Sequence, residues 1–350
     1  MKRSKVSRKK KTKNFTKRKN VVVIGGGTGT YTVLSGIKHL ENINITAIVT
    51  STDSGGSTGV LRDQFGRLPV GDFRQCLVAL AETGNGDNLL RELFKYRFEK
   101  GGKGLEGHNL GNLFITALSD ILGSDQAAFE KISDILRIKG EIHPITYEDI
   151  QLIAEYENGE IAYGEANIDE PDEKKHDGSL RIKKLWVHPK AKISPQAKNA
   201  ILNADLIILG PGDLYTSILA NFVIGGVSLA VRKSNAKILY ISNLFSKWGQ
   251  THNMAVSDYV KELEKYLKTE IDYILINNRP ITNKKALKMY EAEKAYPVVD
   301  DLRKNDRRAI RTDLIYDKVV ERKYGDKVKR SLIRHDYHKV ASEIERLLKI

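Results

Sequence analysis

Short runs of apolar residues recur along the chain, and a glycine-rich turn follows three of them. These pairs of run and turn are 21–24 with 25–29, 46–49 with 53–59, and 206–209 with 210–217. Valine and isoleucine are frequent in the runs, and short β-branched runs bounded by glycine are typical of buried parallel strands. Further strand patterns at 237–241 and 271–276 alternate with helical periodicity. The whole pattern predicts an α/β fold with a Rossmann-like, mostly parallel sheet and flanking helices.

Helical periodicity fills the segments between these strands. Helices are predicted at about 30–40, in two or three stretches within 72–139, and near 194–203, 216–233 and 255–268. Apolar residues at helical spacing predict an amphipathic closing helix over 336–350. His335 and His338 are interpreted as part of a solvated face at the start of this helix.

The period changes between about 145 and 190. The segments 151–157 and 160–165 flank Asn158-Gly159, which is the strongest short hairpin signal. A polar loop at 169–178 follows, and 180–187 then has the pattern of another strand. We therefore predict a small antiparallel β insertion at about 145–190, within a single α/β domain that spans 20–350.

Charge is concentrated at the N-terminus. Residues 2–19 carry 11 lysines and arginines and no acid, so of the net charge of +14 only +3 remains for the rest of the chain. Because this segment has almost no apolar residues, we predict a disordered basic tail over 1–19. One hypothesis is a weak electrostatic contact with RNA or an anionic surface, and the alternative is a solvated extension.

Composition narrows the class of protein further. No apolar run approaches the roughly 20 residues that span a bilayer, and the N-terminus lacks the apolar core of a secretory signal, so we expect a cytoplasmic protein. The single cysteine, Cys76, excludes an internal disulfide framework. It lies in an apolar helical stretch and is expected to be a buried core thiol.

The first glycine turn departs from two common nucleotide-binding motifs. Gly25 and Gly27 fit the dinucleotide pattern, but Thr30 occupies its third glycine position, and no acid ends the second strand. No P-loop lysine follows either of the first two turns. An ordinary NAD dehydrogenase and a Walker-type NTPase are therefore disfavoured. What remains is a set of turns whose backbone N–H groups face an anion at a common sheet edge, as expected for a nucleotide diphosphate.

Polar side chains at other turns are candidate ligand contacts. Arg62 and Arg74 suit phosphate because a guanidinium binds it through two parallel hydrogen bonds, although a surface ion pair would also explain them. Asp72 fits either a helix N-cap or a ligand contact. Asn109 and Asn112 carry amides that can hydrogen-bond uracil or sugar hydroxyls.

Metal and catalytic chemistry receive less support. Asp53, Asp72 and Asp213 could together hold a magnesium ion between phosphates, since this cation takes carboxylate and phosphate oxygens. No protein-bound metal and no cofactor is required by the prediction. Because no serine, histidine and acid form a recognised nucleophile elbow, no catalytic residue is assigned.

Five ordered motifs resemble those of the YvcK-type gluconeogenesis factor family, the bacterial branch of a group that also contains 2-phospho-L-lactate transferase. The motifs occupy 23–29, 52–59, 71–74, 107–112 and 210–217, and 240–243, 249–251 and 332–335 also match in order. The resemblance covers about residues 20–350. It implies a Rossmann-like fold that binds UDP-sugars such as UDP-N-acetylglucosamine, and a role in cell shape and cell-wall precursor balance during gluconeogenic growth.

The resemblance also implies a regulator without catalytic activity, forming a homodimer and acting on a regulatory protein that the sequence does not identify. The alternative is a phospholactyl-type transferase that uses a nucleotide diphosphate donor and magnesium. Three positions depart from the family pattern: Asp53-Ser54 replaces two acids, Asp213 replaces serine, and Gln250 replaces glutamate. Two of these changes remove an acid, which argues against transferase chemistry.

The predicted ligand-binding set combines the turns with nearby amides and basic groups. Its members are Gly26, Gly27, Thr28, Gly29, Asp53, Ser54, Gly55, Arg62, Asp72, Arg74, Asn109, Asn112, Gly210, Pro211, Gly212, Asp213, Tyr215, Thr216, Ser217, Asn243, Gln250 and Thr251. The diphosphate is expected on the turns at 26–29 and 210–217. Asn109, Asn112 and Asn243 are expected to contact the base or the sugar.

Overall fold

The computed structural model describes residues 18–82, 87–174, 176–318 and 332–349. Its strands are β1 (Lys19–Gly25), β2 (Ile43–Val49), β3 (Glu141–Pro144), β4 (Gln151–Tyr156), β5 (Ile161–Tyr163), β6 (Ile182–His188), β7 (Leu206–Leu209), β8 (Lys237–Ile241), β9 (Tyr273–Asn277) and β10 (Ala309–Thr312). Its α-helices are α1 (Gly27–Ile37), α2 (Gly56–Phe65), α3 (Gly71–Leu80), α4 (Asp87–Lys95), α5 (Gly102–Leu105), α6 (Leu110–Leu122), α7 (Asp125–Ile135), α8 (Glu165–Asp169), α9 (Pro195–Leu202), α10 (Ala220–Phe222), α11 (Val227–Lys233), α12 (Val256–Leu267), α13 (Lys284–Ala292) and α14 (Tyr337–Leu348). A π-helical segment, Leu214–Leu219, precedes α10.

Seven strands form one parallel sheet in the order β10-β9-β8-β7-β1-β2-β3. From β1 the chain builds outward through β2 and β3, and it then returns to β7 on the other side of β1 and builds outward through β8, β9 and β10. The direction of winding therefore reverses between β1 and β7. In open α/β sheets, this switch point forms a crevice at the carboxyl ends of the strands, where ligands bind.

The sheet is buried on both faces, and the central parts of strands β1 and β7 are apolar at consecutive positions. In β1, Val21 and Val23 face one core cluster, which also contains Leu34 of α1 and Val340 of α14. Val22 and Ile24 face the opposite cluster, which includes residues of α9, α11 and α12. The alternation of side chains along a strand explains why neighbouring valines enter different cores. This two-sided burial confirms the predicted Rossmann-like arrangement.

A second, antiparallel sheet has the strand order β5-β4-β6. The hairpin of β4 and β5 closes at Asn158-Gly159, as predicted, and β6 pairs with the other edge of β4. Leu152, Ala154 and Tyr156 of β4 pack into the same core cluster as Val22 and Ile24. The predicted antiparallel β insertion is thus present as a three-stranded sheet.

Several local predictions were wrong. The described residues of 72–139 form five helices rather than two or three, and glycines around 101–107 and at 123 lie where α4, α5, α6 and α7 are separated. The helix expected over 216–233 is divided as well, since Gly226 adopts φ +98° and starts α11 as a new helix. The sequence patterns also missed both edge strands of the large sheet, β3 and β10, and α13.

The two chain ends also correct the sequence interpretation. Lys19, assigned to the basic tail, lies in β1 and forms an ion pair with Asp205, while the rest of the predicted tail up to residue 17 lies outside the described residues. His335 is not on a solvated helical face: it is buried, precedes α14, and places its Nε2 atom 3.1 Å from the Ser242 carbonyl oxygen. His338, in the first turn of α14, is exposed.

Two composition-based expectations are met in the described residues. Cys76 of α3 is buried, and its burial raises the pKa of the thiol well above the usual value. Among the helices that the structure describes, none combines the length and the apolar character needed to cross a bilayer.

Candidate functional site

The first and third glycine turns meet backbone to backbone at the switch point. A Cβ atom on Gly29 would lie 2.6 Å from the Gly212 nitrogen and 2.6 Å from the Pro211 carbonyl carbon. Such distances are shorter than real Cβ contacts allow, so this junction requires glycine. A Cβ on Gly27 would make only an ordinary van der Waals contact, with Ser217 Oγ at 3.9 Å, so Gly27 is far less crowded than Gly29.

Gly27 lies at the N-terminus of α1. The first N–H groups of an α-helix have no acceptor within the helix, and the helix dipole favours negative charge there. The Gly27 N–H donates to Asp72 Oδ1 at 2.8 Å, and Thr28 and Gly29 occupy the next two positions. Asp72 was predicted as a possible cap of its own helix, but α3 begins at Gly71 with Val70 at the N-cap position. The Asp72 carboxylate instead holds the first turn.

The second glycine turn lies against α8. The Ser54 N–H donates to Glu165 Oε2 at 3.3 Å, and the Ala166 N–H donates to Ser54 Oγ at 3.1 Å. Within the turn, the Gly55 N–H donates to Asp53 Oδ1 at 3.0 Å. A Cβ on Gly71 would overlap Asp53 Oδ2, so the Asp53 carboxylate lies directly against the start of α3. The second turn is therefore held between α3 and the inserted α8.

Asp53, Asp72 and Glu165 together form what we term the acidic side of the crevice. Burial, together with Asp53, raises the pKa of Asp72 to about 7, and burial raises the pKa of Asp53. Burial, the Asp53 carboxylate and Asp169 raise the pKa of Glu165 well above its usual value. Arg74 lowers the pKa of Asp53 and Asp72, but burial outweighs its effect. The acidic side therefore holds protons at a pH where exposed carboxyls have lost theirs.

Across the crevice, Asp169, Asp213, Lys247 and Gln250 form what we term the paired side. Lys247 Nζ lies 2.6 Å from Asp169 Oδ1 and 3.0 Å from Asp213 Oδ2. The Gln250 amide donates to Asp169 Oδ1 at 2.8 Å, and its oxygen accepts the Tyr215 N–H at 3.3 Å. One lysine thus joins α8 to the turn after β7, and the glutamine fixes the same carboxylate.

The same lysine sets the charge of the paired side. Burial raises the pKa of Asp169, but the Lys247 ammonium outweighs it and leaves the net pKa below the usual value. Burial raises the pKa of Asp213 to about 6, with Lys247 and Asp169 acting in opposite directions. Burial lowers the pKa of Lys247, but the two carboxylates raise it to a net value above normal, so this lysine stays charged.

Asn109, Asn112 and Arg74 form a buried network behind the acidic side. Asn109 is the N-cap of α6: its Oδ1 accepts the Asn112 N–H at 3.2 Å and its amide donates to the Tyr96 carbonyl. The Asn112 Oδ1 accepts from Arg74 Nε at 2.8 Å, and the Asn112 amide lies 3.4 Å from the hydroxyls of Ser57 and Thr58. Each of these amides already has protein partners. Their contact with a base or sugar stays a prediction.

The other predicted residues lie around the third turn, with one exception. The Asn243 amide donates to the Gly212 carbonyl oxygen at 2.9 Å, Thr216 Oγ1 donates to Asp169 Oδ1 at 3.2 Å, and the Thr251 hydroxyl accepts from the Lys247 N–H. Arg62 instead pairs with its exposed neighbour Asp63. The site therefore brings together the three turns and the segment 243–251.

The proposed magnesium ligands are not gathered into a single cluster. Asp53 and Asp72 lie near each other on the acidic side, whereas Asp213 is ion-paired with Lys247 on the paired side. Across the described ranges, no group of three or more histidine, cysteine or acidic side chains has an arrangement that could hold a metal ion. Asp53 and Asp72 still fit the mode in which one or two carboxylates bind magnesium together with ligand phosphates.

Sequence reasoning missed Glu165, Asp169 and Lys247. Glu165 and Asp169 lie in or beside the stretch interpreted as insertion and polar loop, and their spacing of four residues places both on one face of α8. Lys247 lies between two predicted site segments, 240–243 and 249–251. The spacing of Glu165 and Asp169 was the one local signal in the sequence. The contact of Lys247 with Asp169 joins residues far apart in the sequence, so no local pattern indicates it.

These features define a Rossmann-like α/β protein with a candidate ligand site at the switch point of its sheet. The family described as CofD, 2-phospho-L-lactate transferase, matches residues 21–315. A gluconeogenesis factor from Bacillus subtilis is 38% identical over 331 residues, covering 94% of this chain and 98% of the relative. One from Listeria innocua is 40% identical over 263 residues, covering 75% of this chain and 78% of the relative.

Solved structures agree with these sequence matches. A crystal structure of a Bacillus halodurans protein, described as a member of the UPF0052 family, has a TM-score of 0.82 and 35% identity, covering 93% of this chain and 99% of that one. The chain therefore belongs to the CofD-type family, in its branch of gluconeogenesis factors. The resemblance inferred from the five motifs is confirmed.

Proposed function

We propose that this chain binds a UDP-sugar of the UDP-N-acetylglucosamine type in the crevice between β1 and β7 and acts as a regulator without catalytic activity. Its proposed role is in cell shape and cell-wall precursor balance under gluconeogenic growth, acting on a regulatory protein that is not identified. The names of its relatives support the link to gluconeogenesis. A cytoplasmic location is part of the same proposal.

One observation carries the proposal of a diphosphate ligand: the uncrowded Gly27 begins α1 at the place where the third glycine turn closes against the first. Backbone N–H groups and the helix dipole favour a phosphate at such a place. Thr28 and Ser217 add hydroxyls at the same edge. The third turn and Asn243, which holds it through Gly212, lie on the side where the sugar or base would extend.

Calorimetry with UDP-N-acetylglucosamine tests the proposal, with GDP and NAD as competing ligands. We expect saturable heat with the UDP-sugar, and much weaker heat with the other two. Thr28→Glu places a carboxylate in the first turn of α1, where it favours the helix but repels a phosphate. This variant should weaken binding about tenfold or more, corresponding to about 1.4 kcal/mol.

Thr32→Glu is the matched control, one helical turn further along the same helix. Its affinity should stay close to that of the unchanged protein because the added charge lies farther from the proposed phosphate. Binding of GDP or NAD in place of the UDP-sugar would contradict the proposal. So would an equal loss of affinity in both variants.

The transferase alternative also has a specific observation in its favour. The matched family is described as a 2-phospho-L-lactate transferase, and Asp53 and Asp72 fit a magnesium ion bound together with phosphates. Incubation with a guanylylated phospholactate donor, a deazaflavin alcohol and magnesium should then transfer the phospholactyl group to the alcohol and release GMP. Turnover lost in Asp53→Asn would favour the transferase, and absence of product favours the binding protein.

A homodimer remains part of the proposal, and the helices beside the acidic side offer a surface for it. Phe114 and Ile121 of α6 and Leu89 and Leu93 of α4 are exposed, and α4 packs against α6 through the ring contact of Phe94 with Phe114. Monomers rarely expose contiguous apolar surface of this kind. Sedimentation should give a dimer for the unchanged protein and for Val299→Asp, an exposed apolar site elsewhere, but a monomer for Ile121→Asp.

The basic N-terminal segment has a separate test. Deleting residues 1–17 should weaken binding to RNA and anionic vesicles at low salt if the segment acts as an electrostatic tether, since such contacts depend steeply on salt. Unchanged binding would support the solvated extension.

A further inference from the structure

A second concave surface lies away from the crevice, between the antiparallel sheet and helices α11 and α12. Its volume is about 510 Å³. We term it the basic groove. Its lining residues are Lys183, Lys184, Leu185, Phe222, Val223, Ile224, Gly225, Gly226, Ser228, Leu229, Arg232, Lys265, Tyr266 and Lys268.

The charge of this lining has one sign. Five of its residues are lysine or arginine, and none is an acid. Two of the five have acidic neighbours outside the lining: Lys183 Nζ lies 2.7 Å from Glu155, and Lys265 Nζ lies 2.9 Å from Glu262. Lys184, Arg232 and Lys268 take part in none of the ion pairs found among the described residues, so the groove carries a surplus of positive charge.

The floor of the groove is apolar. Phe222 and Ile224 are buried beneath it, and Leu229 of α11 is 47% exposed at its surface. A cationic surface that contacts only water does not require apolar residues beneath it or at its surface. An exposed leucine among cations favours a ligand that carries both carboxylates and an apolar side chain.

The shape favours an extended segment of chain. In the antiparallel sheet β6 is an edge strand, and the groove lies beside the edge of β6 that β4 does not occupy. At that edge the Leu185 N–H donates to the Tyr266 hydroxyl at 3.0 Å, and Lys265 Nζ donates to the Lys183 carbonyl at 3.4 Å. Side chains of α12 rather than another strand thus cover the edge, and a peptide lying along β6 would meet cations and Leu229.

We propose that the basic groove is a docking site for an extended acidic segment of a partner protein that presents carboxylates to Lys184, Arg232 and Lys268 and an apolar side chain to Leu229. The groove lies at the β6 edge of the antiparallel sheet, whose hairpin leads into α8, and α8 carries Glu165 and Asp169 of the crevice. A partner bound at the groove would therefore contact the same sheet that positions part of the crevice. The groove proposal does not depend on the identity of the ligand in the crevice.

The test uses the full-length protein and a labelled synthetic peptide in which glutamate alternates with leucine. Fluorescence anisotropy at about 0.15 M salt limits long-range attraction, because the Debye length there is about 8 Å. The triple variant Lys184→Glu, Arg232→Glu and Lys268→Glu should weaken binding at least about tenfold. The triple variant Lys284→Glu, Lys285→Glu and Lys288→Glu on α13 changes the net charge equally and should leave affinity within about threefold.

Further arms separate the groove from general attraction. Leu229→Asp, and a peptide with serine in place of leucine, should each weaken binding, since both remove the apolar contact. Circular dichroism and the thermal midpoint establish that each variant is folded. Equal losses in the two triple variants, or no effect of Leu229→Asp, would overturn the proposal. It would also be overturned if the groove variant lost binding to RNA or to anionic vesicles but kept its affinity for the peptide.

Discussion

The two sides of the crevice use the same kind of residue in opposite ways. On the acidic side, burial raises the pKa of Asp53, Asp72 and Glu165. On the paired side, Lys247 contacts Asp169 and Asp213 together and keeps the pKa of Asp169 below its usual value. The charge of this crevice therefore depends on which of its carboxylates lie beside a cation. A diphosphate would meet compensated charge on one side and proton-holding carboxyls on the other.

The largest expected effect concerns the contact between the first and the third glycine turns. Gly29→Ala would place a Cβ 2.6 Å from backbone atoms of Pro211 and Gly212, which have no flexible end that could move away. We expect a loss of about 2–3 kcal/mol in the free energy of unfolding, measured by urea denaturation.

Gly104→Ala is the matched control, because a Cβ there would meet nothing within 4 Å. It should change the free energy of unfolding by less than about 1 kcal/mol, with the sign expected for a helix former replacing glycine. A Gly29→Ala protein as stable as this control would show that the turns do not pack as described.

The next effect concerns the cation of the paired side. Lys247→Met would leave Asp169 and Asp213 without their ammonium, and we expect a loss of about 2 kcal/mol near pH 7.5, because Lys247 is only partly shielded from water. The loss should shrink near pH 5, where both carboxyls can be protonated in the variant. Lys237→Met, which breaks the exposed pair with Asp272, is the control and should cost much less than Lys247→Met.

Denaturation at the two pH values measures this prediction. A Lys247→Met loss that is the same at pH 5 and pH 7.5 would mean that the lysine does not act through the charge of the two carboxylates.

The smallest effect concerns the proton on the acidic side. The folded-state pKa of Asp72, about 7, lies above the value of 3.8 expected in the unfolded chain. Between these values the folded protein binds the additional proton, so stability falls as pH rises through this window. Asp72→Asn keeps an acceptor for the Gly27 N–H but cannot ionise. Urea denaturation should show it more stable than the unchanged protein at pH 8 by about 1 kcal/mol, with a smaller difference at pH 5.

A matched Asp63→Asn variant, at an exposed surface position, is the control and should change the free energy of unfolding less than Asp72→Asn does at pH 8. An Asp72→Asn protein that is less stable than the unchanged chain at pH 8 would contradict the raised pKa.

The sequence allowed the centre of the fold to be predicted but not its edges. The strand β7 and its neighbour β8 were predicted at their observed residues, because the buried part of each strand is a run of consecutive apolar residues. The edge strands β3 and β10 are short and partly exposed, so their sequences lack such a run. The division at Gly226 was not predicted, since a single glycine pair interrupts an otherwise helical pattern.

The candidate site was also predicted only in part. The glycine turns were found because backbone geometry at a strand end demands glycine locally. The charge pattern was not found, because Lys247 and Asp169 meet only through the packing of the inserted sheet against the π-helical segment at 214–219. From the sequence, Asp213 is a possible magnesium ligand at a position where the family usually has serine. Its ion pair with Lys247 supplies the cation that the sequence could not locate.

The most direct test is calorimetry of UDP-N-acetylglucosamine binding near pH 7.5, without magnesium, in two buffers of different ionisation enthalpy. The difference in heat between the two buffers gives the number of protons that the protein takes up or releases on binding. A diphosphate placed at the N-terminus of α1 should raise the pKa of Asp53, Asp72 and Glu165 further. We therefore expect net proton uptake on binding, and a smaller uptake in Asp72→Asn. Binding with no proton uptake, or with proton release, would contradict it.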